Sequence, residues 1–180
     1  MSAPKSHHLV YGTLKDYLTG EELIDTDDER IRQHISILLV EERGFAKENL
    51  IPRLTIETLF AQSFVTSKID LTILHNNKQV LILRYGPGSL VSRERSAIAA
   101  ARVLNPDYQI PFAVVTNGKD AELLDTRSGK ILGYGLESIP CCDTLRTLAD
   151  NAVFSAPLTG IKKERELRIL NAFDVERCCL

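Results

Sequence analysis

Residues 80–83, Val80-Leu81-Ile82-Leu83, are apolar at every position, as in a strand covered on both faces and therefore central in its sheet. They follow a second run, Lys68-Ile69-Asp70-Leu71-Thr72-Ile73-Leu74, across the turn His75-Asn76-Asn77-Lys78. The two runs read as a hairpin. Its first strand carries one carboxylate, Asp70, among apolar neighbours, and a carboxylate buried there needs partners. Its second strand ends in Arg84-Tyr85-Gly86.

The flanking sequence supplies what a central hairpin needs. Thr26-Asp27-Asp28-Glu29 has capping-box spacing, and Ile31, Ile35, Leu38 and Leu39 then share one helical face until Gly44. This predicts an amphipathic helix of about four to five turns. Residues 50–58 alternate, with Leu54 and Ile56 against Arg53, Thr55 and Glu57, which suits a half-buried strand. Pro87-Gly88-Ser89 interrupts the chain after the hairpin, and residues 92–104 have the alanine-rich composition of a tightly packed helix. Residues 111–115 read as another buried strand, and 121–124 with 130–132 as a further hairpin around Arg127-Ser128-Gly129. The expected class is α/β (α+β): an αβββαβ core with a mixed central sheet flanked by helices, plus C-terminal helices. Residues 1–25 read as a polar lead-in with one short helical turn around residues 14–18, 26–140 as the core domain, and 141–180 as a helical extension packed on it. In that extension Asp143 is expected to cap a helix holding Leu145 and Leu148. A last helix over 161–175 sets Leu167, Leu170 and Phe173 on one side, either packed on the domain or offered to a protein partner.

The chain's 180 residues, 44% of them hydrophobic, suffice for one domain with a substantial core. Its 22 basic and 24 acidic residues nearly cancel, so no global field draws it to DNA or an anionic membrane, and any nucleic-acid contact must be a local patch. The first residues lack an apolar stretch of signal-peptide length, and no window approaches the ~20 apolar residues of a spanning helix. A cytoplasmic protein with no membrane association is expected. The cysteines form adjacent pairs, Cys141-Cys142 and Cys178-Cys179, whereas metal and redox motifs space their ligands. The C-terminal Arg177-Cys178-Cys179-Leu180 also lacks the prenylation pattern. A Walker loop, a Gly-x-Ser-x-Gly elbow and a His-Glu-x-x-His pair are absent. Nothing in the sequence sets an oligomeric state.

Four features in order carry a resemblance: Glu29-x-x-Arg32-Gln33 in the first helix, Asp70 after Ser67-Lys68-Ile69, the strand 80–83, and Val114-Val115-Thr116-Asn117-Gly118. Residues from 28 to about 145 resemble the N-terminal nuclease domain of type I restriction enzyme R subunits and its stand-alone relatives, within the PD-(D/E)XK nucleases. The resemblance implies a restriction-endonuclease-like fold and metal-dependent phosphodiester cleavage. In that family an aspartate ends the first hairpin strand and a Glu-x-Lys pair ends the second. Here the corresponding positions are read as Asp70, Arg84 and Gly86. An arginine cannot ligate a cation, and its permanent charge repels one. The following helix also lacks the glutamine that relatives often carry. The expectation is therefore a catalytically degenerate nuclease-fold protein with no cofactor, in which Asp70 pairs with Arg84 or Lys68. The alternative is an active endonuclease using Mg²⁺ or Mn²⁺, with Asp70 and Glu29 catalytic, Asp70 a metal ligand, and Glu57 or Glu94 assisting. Glu29 fits equally well as the second half of the capping box.

A replacement role is sought in residues 84–95. Arg84, Ser89, Ser92, Arg93 and Arg95 surround a glycine-rich turn and a helix start, a combination suited to phosphate, and through it to DNA or RNA. The same residues also read as a plain strand-to-helix connection with surface arginines. A third reading keeps only the fold, as a protein-interaction scaffold that docks through Leu167, Leu170 and Phe173.

Overall fold

The computed structural model describes residues 9–60 and 63–174. Its centre is a six-stranded sheet in which sequence order is spatial order: β3 (Leu50–Phe60), β4 (Ser63–His75), β5 (Lys78–Tyr85), β6 (Phe112–Thr116), β7 (Ala121–Asp125) and β8 (Ile131–Tyr134). Only β5 and β6 run parallel, and α2 (Val91–Leu104) makes the crossover between them, as a parallel pair requires. The sheet is mixed, with helices on both faces. The β4–β5 turn has two central residues, Asn76 and Asn77, both at positive φ (50° and 60°), the tight hairpin turn that asparagine tolerates. Residues 80–83 are at most 1% exposed, so β5 is the central strand the sequence predicts.

Two cores fill the two faces. One packs Leu71, Ile73, Leu81, Leu83, Tyr85 and Val114 under Ile35 and Leu39 of the first helix and Leu145 and Ala149 of α3 (Cys142–Asp150). The other packs Ile69, Ile82, Ala113, Val115 and Leu124 under residues 97–101 of α2 and Leu170 of α4 (Gly160–Asp174). The first helix, α1, spans Asp27–Ile37 and continues as one wider π-type turn over Leu38–Glu42. It seats closely on the β6–β7 turn: a Cβ at Gly118, which has φ +83°, would lie 2.9 Å from Ile31 Cγ2.

Two local expectations are corrected, and an alternative left open at α4 is decided. Residues 10–26 contain no helical turn but a two-stranded ribbon, β1 (Val10–Lys15) paired antiparallel with β2 (Glu22–Thr26); it lies mostly in solvent and so lacks the apolar periodicity that betrays a strand. The α3 N-cap is Cys141, and Asp143 sits within the first turn. The α4 stripe does not form a free face: Leu170 is fully buried and Leu167 packs beside it, leaving Phe173 about half exposed (51%). A hydrogen bond from Thr58 Oγ1 to Asn171 Oδ1, 2.6 Å, also ties α4 to β3. Residues 1–8 and 175–180, including Cys178-Cys179, lie outside the described residues. No described helix is long and apolar enough to cross a membrane.

Candidate functional site at Asp70

The site forms where β3 and β4 kink together. Strict alternation would keep Ile69, Leu71 and Ile73 on one face, yet Leu71 and Ile73 belong to the α1-side core and Ile69 to the α2-side core. Opposite the switch, Pro52 pairs with Leu71 and Leu54 with Ile69, and the intervening Arg53 takes φ +57°. A side chain other than glycine held there costs about 1–3 kcal/mol, and such strain collects at functional sites. The β4–β5 ladder starts at Leu71↔Leu83. Just beyond it Asp70 Oδ2 accepts the Tyr85 amide at 2.7 Å, so a side chain takes the place of a ladder carbonyl.

The other oxygen, Asp70 Oδ1, accepts from Arg32 Nε of α1 at 2.5 Å. Helical spacing puts Glu29, Arg32 and Gln33 on one face of α1 above this point. Arg32 Nη1 lies 3.6 Å from Glu29 Oε2, and its guanidinium stands 5.4 Å over the Tyr85 ring, a cation–π distance. Glu29 Oε1 accepts from Gln33 Nε2 at 2.8 Å. Thr26 caps Glu29 N at 3.1 Å, but the Glu29 carboxylate turns to these partners rather than back to the helix start, so only half of the capping box forms. Gln33 Nε2 also donates to Asp16 Oδ2 at 3.0 Å, where Arg53 Nη1 donates at 2.5 Å. Asp16 Oδ1 accepts the amides of Leu18 and Thr19. Burial alone would raise the Asp16 pKa, but the bonds from Arg53, Gln33 and the Thr19 amide outweigh it and hold the carboxyl at about 2. Burial would likewise lower the Arg32 pKa, but the charge and hydrogen bond of Asp70 together with the charges of Glu29 and Asp28 outweigh it and raise it. Burial, followed by the hydrogen bond to Asp28, pushes the Tyr85 hydroxyl up to about 12.

The result is a cross-linked chain of charged groups bridged by the Gln33 amide: Arg53, Asp16, Gln33, Glu29, Arg32, Asp70. The cleft they line, closed by Pro52, Leu71 and Leu83, retains about 10 Å³ of free space, room for one water. A divalent cation does not fit this set. Mg²⁺ requires several oxygens in near-octahedral array, and the fixed positive charge of Arg32, at 2.5 Å from Asp70 Oδ1, stands where that cation would sit. Among the described residues no three or more His, Cys, Asp or Glu side chains gather to hold a metal.

The structure brings Asp70 and Glu29 together and corrects two expectations around them. Asp70 pairs with Arg32, not with Arg84 or Lys68. The residues of β5 on the Asp70 side of the sheet are Leu83 and Tyr85, both in the α1-side core, whereas Arg84 points to the other face and donates to Ser96 Oγ of α2 at 3.3 Å. The inward pair beside Asp70 is therefore Leu83-x-Tyr85 rather than Arg84-x-Gly86. The two assisting carboxylates stay away: Glu57 is exposed on β3, and Glu94 lies beside Glu122 of β7, whose pKa burial and then the Glu94 charge raise.

The residues expected to hold phosphate do not converge. Arg93 folds back on its own turn, with Nη2 donating to Pro87 O at 2.8 Å and its guanidinium lying where a Gly86 side chain would be. Ser92 Oγ donates to Ser89 O at 3.0 Å. Arg95 reaches Glu166 of α4 at 2.7 Å. Sequence reasoning missed Asp16 and Arg53, which meet across 37 positions of chain; the single visible signal is Pro52, a poor residue for a regular strand interior and a marker of irregularity there.

Comparison with known proteins identifies a family. No curated protein and no solved structure gives a significant match to the chain. Residues 27–140 match the family model described as type I restriction enzyme R protein N terminus (HSDR_N). That stretch runs from the first residue of α1 through β8, covers well over half of the 180 residues, and contains the Asp70–Arg32–Glu29 constellation. The chain belongs to the type I restriction enzyme R protein N-terminus family.

Proposed function

We propose that this chain is a PD-(D/E)XK-type nuclease domain that does not cleave and instead binds nucleic acid or another phosphate-bearing ligand. The observation that carries the first half is Arg32 Nε at 2.5 Å from Asp70 Oδ1. A guanidinium occupies the position a cation would need, and an inward Leu83 and Tyr85 offer no carboxylate or amine to rebuild the site. The binding half is supported by the family itself, whose name ties it to an enzyme that restricts DNA. Labelled single- and double-stranded DNA and RNA incubated with Mg²⁺ or Mn²⁺ test the first half, with wild type and Asp70→Ala purified side by side. We expect no cleavage above the level common to both proteins. Cleavage by wild type that Asp70→Ala abolishes would overturn the reading and place an active divalent-metal endonuclease at Asp70 and Glu29.

A further inference from the structure

Charge is segregated on the face of the sheet opposite Asp70. A groove of about 560 Å³ runs between α2 and α4, lined by Arg95, Arg102, Lys162, Arg165 and Arg168 against a single carboxylate, Glu166. Such a surplus of cations contrasts with a chain whose charges otherwise nearly cancel.

Glu166 sits at the groove floor, 6% exposed. Arg102 Nη1 donates to Glu166 Oε1 at 2.8 Å, and Arg95 Nη2 lies 2.7 Å from Oε2 as an ion pair. Burial opposes the Glu166 charge, but the hydrogen bonds from those arginines prevail and keep its pKa below the usual carboxylate range. The carboxylate thus orients two guanidiniums without filling the groove. Arg102 is consumed structurally, since its remaining donors meet Thr126 O and Arg127 O. Arg95 sets Nη2 against Glu166, and its Nη1 is buried beneath the groove without a hydrogen-bond partner. Lys162 and Arg165 are exposed on the rim, and among the described residues neither forms an ion pair. Arg168 has only Glu164 at 3.8 Å, both largely in solvent, a pairing worth little. Three exposed cations, Lys162, Arg165 and Arg168, along a groove of ligand-pocket size make a receptor for several phosphate groups in sequence, which arginine forks and a lysine recognise without regard to bases.

We infer that the α2–α4 groove is an anion site for a chain of phosphates, either the backbone of a single-stranded nucleic acid or a free polyphosphate. This rests on the binding half of the function proposed above and moves its location from residues 84–95 to a composite of α2 and α4. The sheet separates this groove from the Asp70 cleft, so changes at its rim leave that cleft intact.

The test is fluorescence anisotropy with a labelled single-stranded DNA or RNA of about twenty nucleotides at low salt, alongside direct titration with inorganic triphosphate. The variant Lys162→Glu/Arg165→Glu alters two exposed, unpaired side chains; Lys15→Glu/Lys119→Glu, equally exposed and remote, makes the same charge change. Wild type is expected to bind, the rim variant to lose about tenfold or more, and the control to stay near wild type. The slope of log affinity against log salt should shrink by roughly 1.4 in the rim variant, the counterions of two lost phosphate contacts. Binding of the oligonucleotide alone identifies nucleic acid as the source, and tight binding of triphosphate identifies a free polyphosphate. Wild-type binding that the rim variant retains, or that the control loses equally, would overturn the groove and leave the binding function standing. No binding of any probe by wild type would overturn both.

Discussion

At Asp16 a single buried carboxylate organises the approach to the site. Its folded pKa of about 2 lies below the ordinary 3.8, so the stabilisation is present above about pH 4 and is lost as pH falls through 2. The linked free energy is of the order of 2 kcal/mol. Asp16→Asn keeps the shape and removes the charge. Urea unfolding should show it weaker than wild type by about that amount at pH 7, with the gap closing to a few tenths of a kcal/mol near pH 2. A gap that stays constant across this range would mean that Arg53 and Gln33 contribute shape rather than charge. None of this was visible in the sequence. Asp16 in the β1–β2 turn, Gln33 in α1 and Arg53 in β3 are far apart in the chain, and no local spacing marks residues that meet only after the ribbon folds over α1. Asp70 was legible because a lone carboxylate in an apolar strand is conspicuous. Its partner was not, because a strand apolar at every position, such as 80–83, gives no sign of which face the residues after it will take. The off-by-one reading that put Arg84 beside Asp70 follows directly from that loss of alternation.

At the scale of elements, α2 was the most legible, and its composition explains its place. Residues 97–101 are all 5% exposed or less, which means the helix is covered by the sheet on one side and by α4 on the other. Small side chains let the backbones approach that closely. Ala100→Leu is therefore expected to cost about 1–3 kcal/mol or more through overpacking, read as a fall in the urea midpoint. Val91→Leu, at a position 71% exposed in the same helix, should be near neutral. Equal effects at the two positions would contradict the sandwiched placement of α2. The elements that the sequence concealed are those whose stability owes little to burial. The β1–β2 ribbon leaves Val10, Tyr11 and Ile24 at least 50% exposed, so neither a helical nor an alternating pattern distinguishes it from a polar lead-in.

The whole molecule divides its chemistry between the two faces of one sheet. The α1 face carries the closed Asp70 constellation, which lies within the family-matched stretch, and the α2 face carries the basic groove, which exists only if α4 is docked. Family membership covers residues 27–140, so α4 lies beyond the matched stretch while contributing most of the groove. Whether it folds with the domain is then a question about cooperativity, and the chain provides a clean reporter. Its five tyrosines are Tyr11, Tyr17, Tyr85, Tyr108 and Tyr134, none of them in α4, so their near-ultraviolet signal reports the chain outside that helix. Leu170 is fully buried against α2, and Leu170→Ala should cost about 2–5 kcal/mol. If α4 belongs to the same cooperative unit, the tyrosine transition and the far-ultraviolet helical transition shift together by that amount. A tyrosine transition that keeps its wild-type midpoint while part of the helical signal melts early would make α4 a separable arm. The half-exposed Phe173 supplies the contrast: Phe173→Ala should move either transition by less than about 1 kcal/mol, because about half of that residue stays in solvent.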